Sequence, residues 1–292
     1  MSNTEHNGAV TTVDLEVAAE APIFVLASGQ RCGSTLLQRL LNSNPHVMIW
    51  GEQGGYLERF LLEHQSLLSW AERHGELRAY FERDGYDHFL PNMLPDVQAL
   101  QRAAGTYLAA LFAAPARQVG RPFWGLKEVR YDAYVASLLL NCFPKARIVH
   151  ITRNVWDCYR SLKRWETVEG RWSRDWTKMA LDDWVRVNAS FIESRDRLRN
   201  LLSVRYEAMI ADPGGFLVQL AGFLDMDPAV FDGSVFERRV AETPDEPALP
   251  TLNLADVELD QTDLEWLGTE PVQKVARALG YAPPAWCGAA AR

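Results

Sequence analysis

The segment Leu26-Ala-Ser-Gly-Gln-Arg-Cys-Gly-Ser-Thr-Leu-Leu37 gathers the groups best suited to hold a small anion. It is preceded by Pro22 to Ser28, an unbroken apolar run of the kind a buried parallel strand needs. Gly29 and Gly33 then bracket a turn, and Ser34-Thr-Leu-Leu-Gln-Arg-Leu-Leu41 has the apolar i, i+3, i+4 spacing of a helix. The first amides of a helix have no intrahelical acceptor, and the helix dipole favours negative charge beside them. With glycines at both ends, the backbone of Gly29, Gln30, Arg31, Cys32 and Gly33 can wrap an anion closely. The Ser34 and Thr35 hydroxyls and the Arg31 guanidinium add further donors. This is a phosphate-type cradle. It is not a Walker A loop, G-x-x-x-x-G-K-[ST], which would place glycine at 28 and lysine at 34, where Ser28 and Ser34 stand. The plainer reading, that Gly29 and Gly33 only make a tight strand-to-helix turn, stays open at this point.

Such a cradle needs a scaffold that presents a strand end to a helix start. Beyond Asn44-Pro45, residues 53–114 read as mainly helical, punctuated by Gly75, Gly85, Pro91 and Pro95. Phe123–Val129 and Arg147–Thr152 read as strands, with a helix over Asp132–Asn141 between them. Helices are expected at 154–165 and 177–199, then a strand at Leu201–Arg205. Pro244–Pro250 marks a loop before a final helical tail. Strand–helix alternation is the pattern of a parallel sheet covered by helices, because parallel strands need crossovers. The expected fold class is therefore α/β, a single domain over residues 21–292 with a central parallel sheet flanked by helices. Residues 1–20, which lack a basic stretch followed by an apolar core, are expected to be a loose tail.

Composition narrows the partners. The chain of 292 residues is 48% hydrophobic and 23% charged, ordinary values for a globular protein. A net charge of −8 argues against a general nucleic-acid binder. Charge is uneven, however: residues 117–174 hold twelve Lys/Arg against five Asp/Glu, whereas 207–272 hold two Arg against fifteen Asp/Glu. A basic middle in an acidic chain suits a small anionic ligand. The four cysteines, Cys32, Cys142, Cys158 and Cys287, show no CxxC pair or zinc spacing. The apolar stretch Tyr134–Phe143 is too short to span a bilayer. A cytoplasmic protein without membrane, nucleic-acid or metal partners is expected.

Arg31-Cys-Gly-Ser-Thr-Leu-Leu, followed by Asn44-Pro45 and Gly51-Glu52, resembles the sulfotransferase family, whose members take a sulfuryl group from 3'-phosphoadenosine 5'-phosphosulfate (PAPS). The resemblance is to the branch with tyrosylprotein sulfotransferases and bacterial relatives, which carry an Arg-x-Gly-Ser/Thr-Thr loop and a Gly-Glu after the first helix. Two further blocks agree. Ile148 to Ser161 looks like the family's 3'-phosphate segment, a strand ending in Arg153 with Ser161 eight residues on. Two helical turns separate them, so both can face one crevice at the strand's carboxyl end. Val204-Arg-Tyr206-Glu to Pro213 resembles the segment whose tyrosine meets the adenine, and Arg277 to Tyr281 has the look of the family's tail.

The resemblance implies a P-loop-like strand–loop–helix for the 5'-phosphate, held by Gly29 through Thr35, with Arg153, Ser161 and Tyr206 completing the nucleotide site. It implies Glu52 as general base, with Arg31 and Lys127 as the cations beside the transferring group. The histidine that many cytosolic members place two residues after a strand lysine is absent, since Glu128 and Val129 follow Lys127. His88 and Glu128 are the next candidates for a base. Lys163 and Arg164 are expected as extra donors to the 3'-phosphate, while Trp165 replaces an arginine of the tyrosylprotein branch. His150 reads as a packed core residue. Trp165, Trp172, Trp176 and Trp184 read as core or, alternatively, as part of a lid over the acceptor. The activity implied is in-line sulfuryl transfer to a hydroxyl or amine of a small molecule or peptide, with PAPS as co-substrate and no metal. The rivals are a P-loop kinase or NTPase with a degenerate loop, and a non-catalytic nucleotide-binding protein.

Overall fold

The apolar run that opens the fold forms β1 (Ile23–Ala27), buried at every residue because both faces of the sheet are covered. A computed structural model describes residues 21–167, 173–237, 254 and 257–284. After β1 come α1 (Ser34–Ser43) and β2 (Val47–Trp50), then α2 (Tyr56–Arg73), α3 (Glu76–Asp84), α4 (Val97–Leu108) and α5 (Ala114–Gln118). β3 (Phe123–Glu128), α6 (Ala133–Cys142), β4 (Arg147–Thr152), α7 (Val155–Thr167), α8 (Arg174–Ser194) and β5 (Leu201–Arg205) follow. α9 (Tyr206–Ala211), α10 (Pro213–Leu224), α11 (Gln261–Leu267) and α12 (Glu270–Ala278) complete the described chain.

The five strands form one sheet in the order β2-β3-β1-β4-β5. All pairings are parallel, with Ile23 opposite Gly125 on one side and Arg147 on the other. Ile23, Val25, Ala27, Val149 and Ile151 face one core, built with Leu37, Leu40 and Leu41 of α1 and with Leu220 and Ala276. Phe24, Leu26, Trp124, Leu126 and Ile148 face the other, against Leu57, Leu61 and Phe191. This period-two division follows from the strand geometry and gives the continuous apolar runs seen in the sequence. The expected α/β single-domain class is what the chain adopts.

Boundaries moved where a cap decides them. Ser173 caps α8 by accepting from the Trp176 amide at 3.4 Å, so that helix starts three residues before the expected 177. It ends at Ser194, ahead of a 3-10 turn at Arg195–Arg197 and a left-handed Asn200 (φ 53°). Between α4 and α5 the backbone widens into a π turn (Ala109–Ala113) just before Pro115, which has no N–H to donate. The Phe112 carbonyl there accepts from Trp50 Nε1 at 3.0 Å. The expected tail at 1–20 and the loop Pro244–Pro250 lie outside the described residues. Among the described residues no helix is long and apolar enough to cross a membrane.

A buried polar cluster fastens α11 to α7 and α8. Asp263, with no exposure, accepts from Tyr159 Oη at 2.7 Å, from Lys163 Nζ at 3.3 Å and from Arg174 at 3.3 Å. It also closes a capping box with Asp260 at the start of α11. Lys163 therefore faces Glu166, Asp260 and Asp263 and not a nucleotide site, because it is two residues from Ser161 and projects from another side of α7. The expectation for Lys163 is corrected accordingly. Arg174 holds the Asp260 carboxyl well below the usual carboxylate range.

Removing one member of such a cluster leaves buried charge without compensation. Asp263→Ala is expected to destabilise the fold by about 3–5 kcal/mol, read as a lowered urea midpoint. Asp263→Asn, which keeps the cap geometry, should lose less.

Candidate active site

The cradle forms where β1 ends. Ser28 extends the ladder, its amide donating to the Ile151 carbonyl at 3.0 Å. The chain then turns through Gly29 (φ 115°), Arg31 (φ 64°) and Gly33 (φ 91°), all in the left-handed region that favours glycine. Arg31 is the residue there that is not glycine, and backbone strain of this kind clusters at ligand sites. Gly33 stands at the N-cap of α1, where no side chain satisfies the helix's first amides. It is confined from the far side too: a Cβ at 33 would lie 2.3 Å from Cδ2 of Tyr206. The Tyr206 ring is thus seated directly on the cradle.

Two groups of side chains meet the cradle from opposite ends of one cleft of about 340 Å3. At one end Arg153, following β4, donates to the Arg31 carbonyl at 3.0 Å and lies with its guanidinium carbon 4.3 Å from the Tyr206 ring centroid. Arg31 Nε donates to Ser161 Oγ at 3.0 Å. Arg153 Nε is buried without a hydrogen-bond partner among the described residues. At the other end Lys127, on β3 and only 6% exposed, donates from Nζ to Glu52 Oε1 at 2.5 Å. Arg130 reaches both Glu52 (3.4 Å) and Glu128 (3.3 Å).

Most of the residues singled out in the sequence converge here. Gln30, Arg31, Gly33, Ser34, Thr35, Glu52, Lys127, Arg153 and Tyr206 all line the cleft. Ser161 is reached through Arg31. Gly29 and Cys32 stand back from it. A Cβ at Gly29 would meet Trp184 at 3.4 Å, and Cys32 is wholly buried, its Sγ 3.4 Å from Ser28 Oγ and 3.6 Å from Cys158 Sγ. His88 is also elsewhere, paired with Asp84 at 2.5 Å on the exposed turn after α3. His150 is core, as expected: it stacks on Phe191 at 3.8 Å, and burial pushes its pKa down to about 3.

Three residues matter more than their sequence context suggested. Glu128 has no exposure, accepts from the Val129 amide at 2.8 Å and the Gln53 amide at 3.4 Å, and so pins the loop carrying Glu52 to β3. Arg130 adds a second cation beside the Glu52–Lys127 pair. Glu207 accepts from the Asn154 amide at 2.8 Å and from Tyr281 Oη at 3.0 Å, joining the ends of β4 and β5 to the tail. A charged residue in the last position of an apolar strand was the signal available for Glu128.

The donor set suits phosphate and sulfate oxygens: unshared helix-start amides, hydroxyls, guanidinium groups and an ammonium, with one orphaned buried donor at Arg153. Among the described residues no group of three or more His, Cys, Asp or Glu is placed to hold a metal ion.

Comparison with known proteins agrees with this geometry. Residues 22–230 match the model of the sulfotransferase family, and the chain belongs to that family, enzymes of sulfuryl transfer that use PAPS as donor. The fold is similar to the sulfotransferase domain from the curacin biosynthetic pathway, at 19% identity over 90% of this chain and 99% of that one, with a TM-score of 0.52. It also matches the sulfotransferase domain of the Synechococcus PCC 7002 olefin synthase (19% identity, 90% and 96% coverage, TM-score 0.49). A third match is mouse sulfotransferase SULT7A1 complexed with PAP (13% identity, 93% and 94% coverage, TM-score 0.49). No curated protein matches the chain. Family membership removes the kinase or NTPase alternative.

Glu128 gives a test of the electrostatics. Burial, together with the nearby Glu52 charge, raises its pKa above the ordinary carboxyl value, against the amide bonds that lower it. A carboxyl whose pKa is raised on folding contributes stability at low pH that is lost as pH climbs through the raised value. Glu128→Gln removes that loss. The difference in urea midpoint between variant and wild type should therefore shift in the variant's favour between pH 4 and pH 8; a shift the other way would show that the Arg130 pair dominates.

Proposed function

We propose that the enzyme moves the sulfuryl group of PAPS to a hydroxyl acceptor, with Glu52 as general base. The observation that carries this reading is the contact of the Glu52 carboxylate with the Lys127 ammonium, inside the same cleft as the cradle. A proton acceptor and a cation thus stand side by side where an acceptor oxygen and a sulfuryl group would meet. PAPS, when bound, supplies the sulfuryl group and a phosphate as leaving group.

The chain's own residues divide the remaining work. The amides of Gly33, Ser34 and Thr35 and the two hydroxyls hold the 5'-phosphate. Arg153, with Ser161, takes the 3'-phosphate, and its orphaned Nε gains a partner there. Tyr206, fixed between Gly33 and Arg153, offers its ring to the adenine. Glu52 takes the acceptor's proton as the new oxygen–sulfur bond forms and the bond from sulfur to the phosphate oxygen breaks. The products are a sulfate ester and adenosine 3',5'-bisphosphate. Lys127 and Arg31 meet the negative charge that grows on the oxygens during that exchange, so they act mainly in the transition state. The Lys127–Glu52 bond also keeps the base oriented before substrate arrives. A scaffold that kept only the cradle would have no need for a buried lysine, which is costly unless paired.

Adenosine 3',5'-bisphosphate at about 100 times its dissociation constant should add roughly 2.7 kcal/mol to stability, and ATP much less, since the partners Arg153 and Ser161 select the 3'-phosphate. Equal thermal shifts from the two nucleotides would contradict the assignment.

Glu52→Gln should lower turnover by about 10²–10⁴-fold with the affinity for adenosine 3',5'-bisphosphate nearly unchanged. Arg31→Ala should slow single-turnover sulfation at saturating PAPS. An unchanged rate with weaker nucleotide binding would make Arg31 an anchor through Ser161 and not a catalyst.

A further inference from the structure

A second cavity, also about 340 Å3, opens beside the cleft. Its walls are Gly54 and Gly55, from the loop after Glu52, and Trp176, Met179 and Ala180 on α8. Gln30 and Arg130 line both cavities, so the two adjoin next to the Glu52–Lys127 pair. The volume is within the usual range for small-molecule sites.

Apart from Asp183, the α8 side of the lining is apolar, and two of its side chains are exposed. Trp176 is 50% and Met179 54% exposed, and their spacing of three residues puts them on one face of α8. Farther along the same helix Trp184 is 1% exposed and donates from Nε1 to the Arg153 carbonyl at 3.1 Å. The helix thus uses one tryptophan for the core and shows another to solvent beside the reacting groups. Gly55 has φ 76° and Gly54 φ 61°, and a Cβ at 54 would meet nothing within 4 Å, so this wall leaves open space. The one carboxylate of the lining, Asp183, is engaged by Arg186 at 3.0 Å. A saccharide needs a dense set of donors and acceptors, and this wall has few. At the junction Gln30 Oε1 is buried without a hydrogen-bond partner among the described residues.

We infer that this cavity holds the apolar body of the acceptor, and that the acceptor is a small alcohol or phenol with an aliphatic or aromatic body. The inference rests on the sulfuryl-transfer reading for its chemistry, but the cavity's preference is independent of it. Trp176 and Met179 cover the body, and the hydroxyl end projects past Gln30 to Glu52.

The test is a series of 4-alkylphenols, from methyl to butyl, followed by calorimetry for binding and by sulfate-ester formation with PAPS. Each added CH₂ buried in the cavity should tighten binding and lower KM by about fourfold, from roughly 0.8 kcal/mol per CH₂. Met179→Asp, at an exposed position, should flatten that series while the thermal shift from adenosine 3',5'-bisphosphate persists. Chain-length-dependent binding with no sulfation of any acceptor would uphold the cavity's preference and overturn the proposed activity. Sulfation of glycosides or tyrosine peptides, with alkylphenol binding flat or absent, would overturn the inference and leave the activity standing. Neither binding nor sulfation would overturn both.

Discussion

Every group in the cleft depends on five strands running in the same direction. The cradle follows β1, Glu52 follows β2, Lys127 and Arg130 come from the end of β3, Arg153 follows β4 and Tyr206 follows β5. Because all pairings are parallel, these residues arrive at one edge, where open α/β sheets bind ligands. A five-residue strand is about 17 Å long, so reversing any one would carry its contribution to the opposite side of the molecule. β1 lies at the centre, with hydrogen bonds on both sides, and it delivers the one segment whose backbone has to meet an anion.

The edge concentrates charge, part of it buried, and the chain handles this by pairing. Lys127 is nearly buried and held by Glu52; Glu128 is wholly buried and held by two amides and Arg130. Carboxylates and cations alternate across the β2–β3 side, so neither sign stands alone in low dielectric. On the β4–β5 side Arg153 donates to the Arg31 backbone carbonyl and lies over the Tyr206 ring, and its Nε has no hydrogen-bond partner among the described residues. In the proposed reaction, that asymmetry separates the end that exchanges a proton from the end that holds a dianion.

The strands were legible because burial on both faces leaves runs dominated by apolar residues, unbroken in Ile23–Ala27 and interrupted by His150 in Arg147–Thr152. The cradle was legible because glycines at 29 and 33 meet a backbone requirement that other residues satisfy poorly. Glu52 and Lys127 could be assigned roles by resemblance, but their direct contact could not, since it depends on the register that sets Val47 opposite Phe123. Lys163 misled because a lysine two residues from Ser161 looks close in sequence, while helical rotation turns it toward Asp263. Glu128, Arg130 and Glu207 were hard to read for the same reason. The contacts that give them their roles, with Gln53, Glu52, Asn154 and Tyr281, come from residues far away in the chain. Trp165 and Trp172 do not bear on this comparison, since the side chain of the first and the whole of the second lie outside the described residues.

The placement of β1 between β3 and β4 also sets the order in which the molecule can be made. Ile23 must wait for Gly125 and Arg147 before either edge of its strand is paired. At about 5–20 residues per second of synthesis, the most hydrophobic strand of the sheet stays unpaired for roughly 5–20 s after it is made. A strand with two open edges and no charge is the kind of segment that recruits another chain. The emerging polypeptide thus carries its most apolar strand unpaired until the ribosome reaches β3.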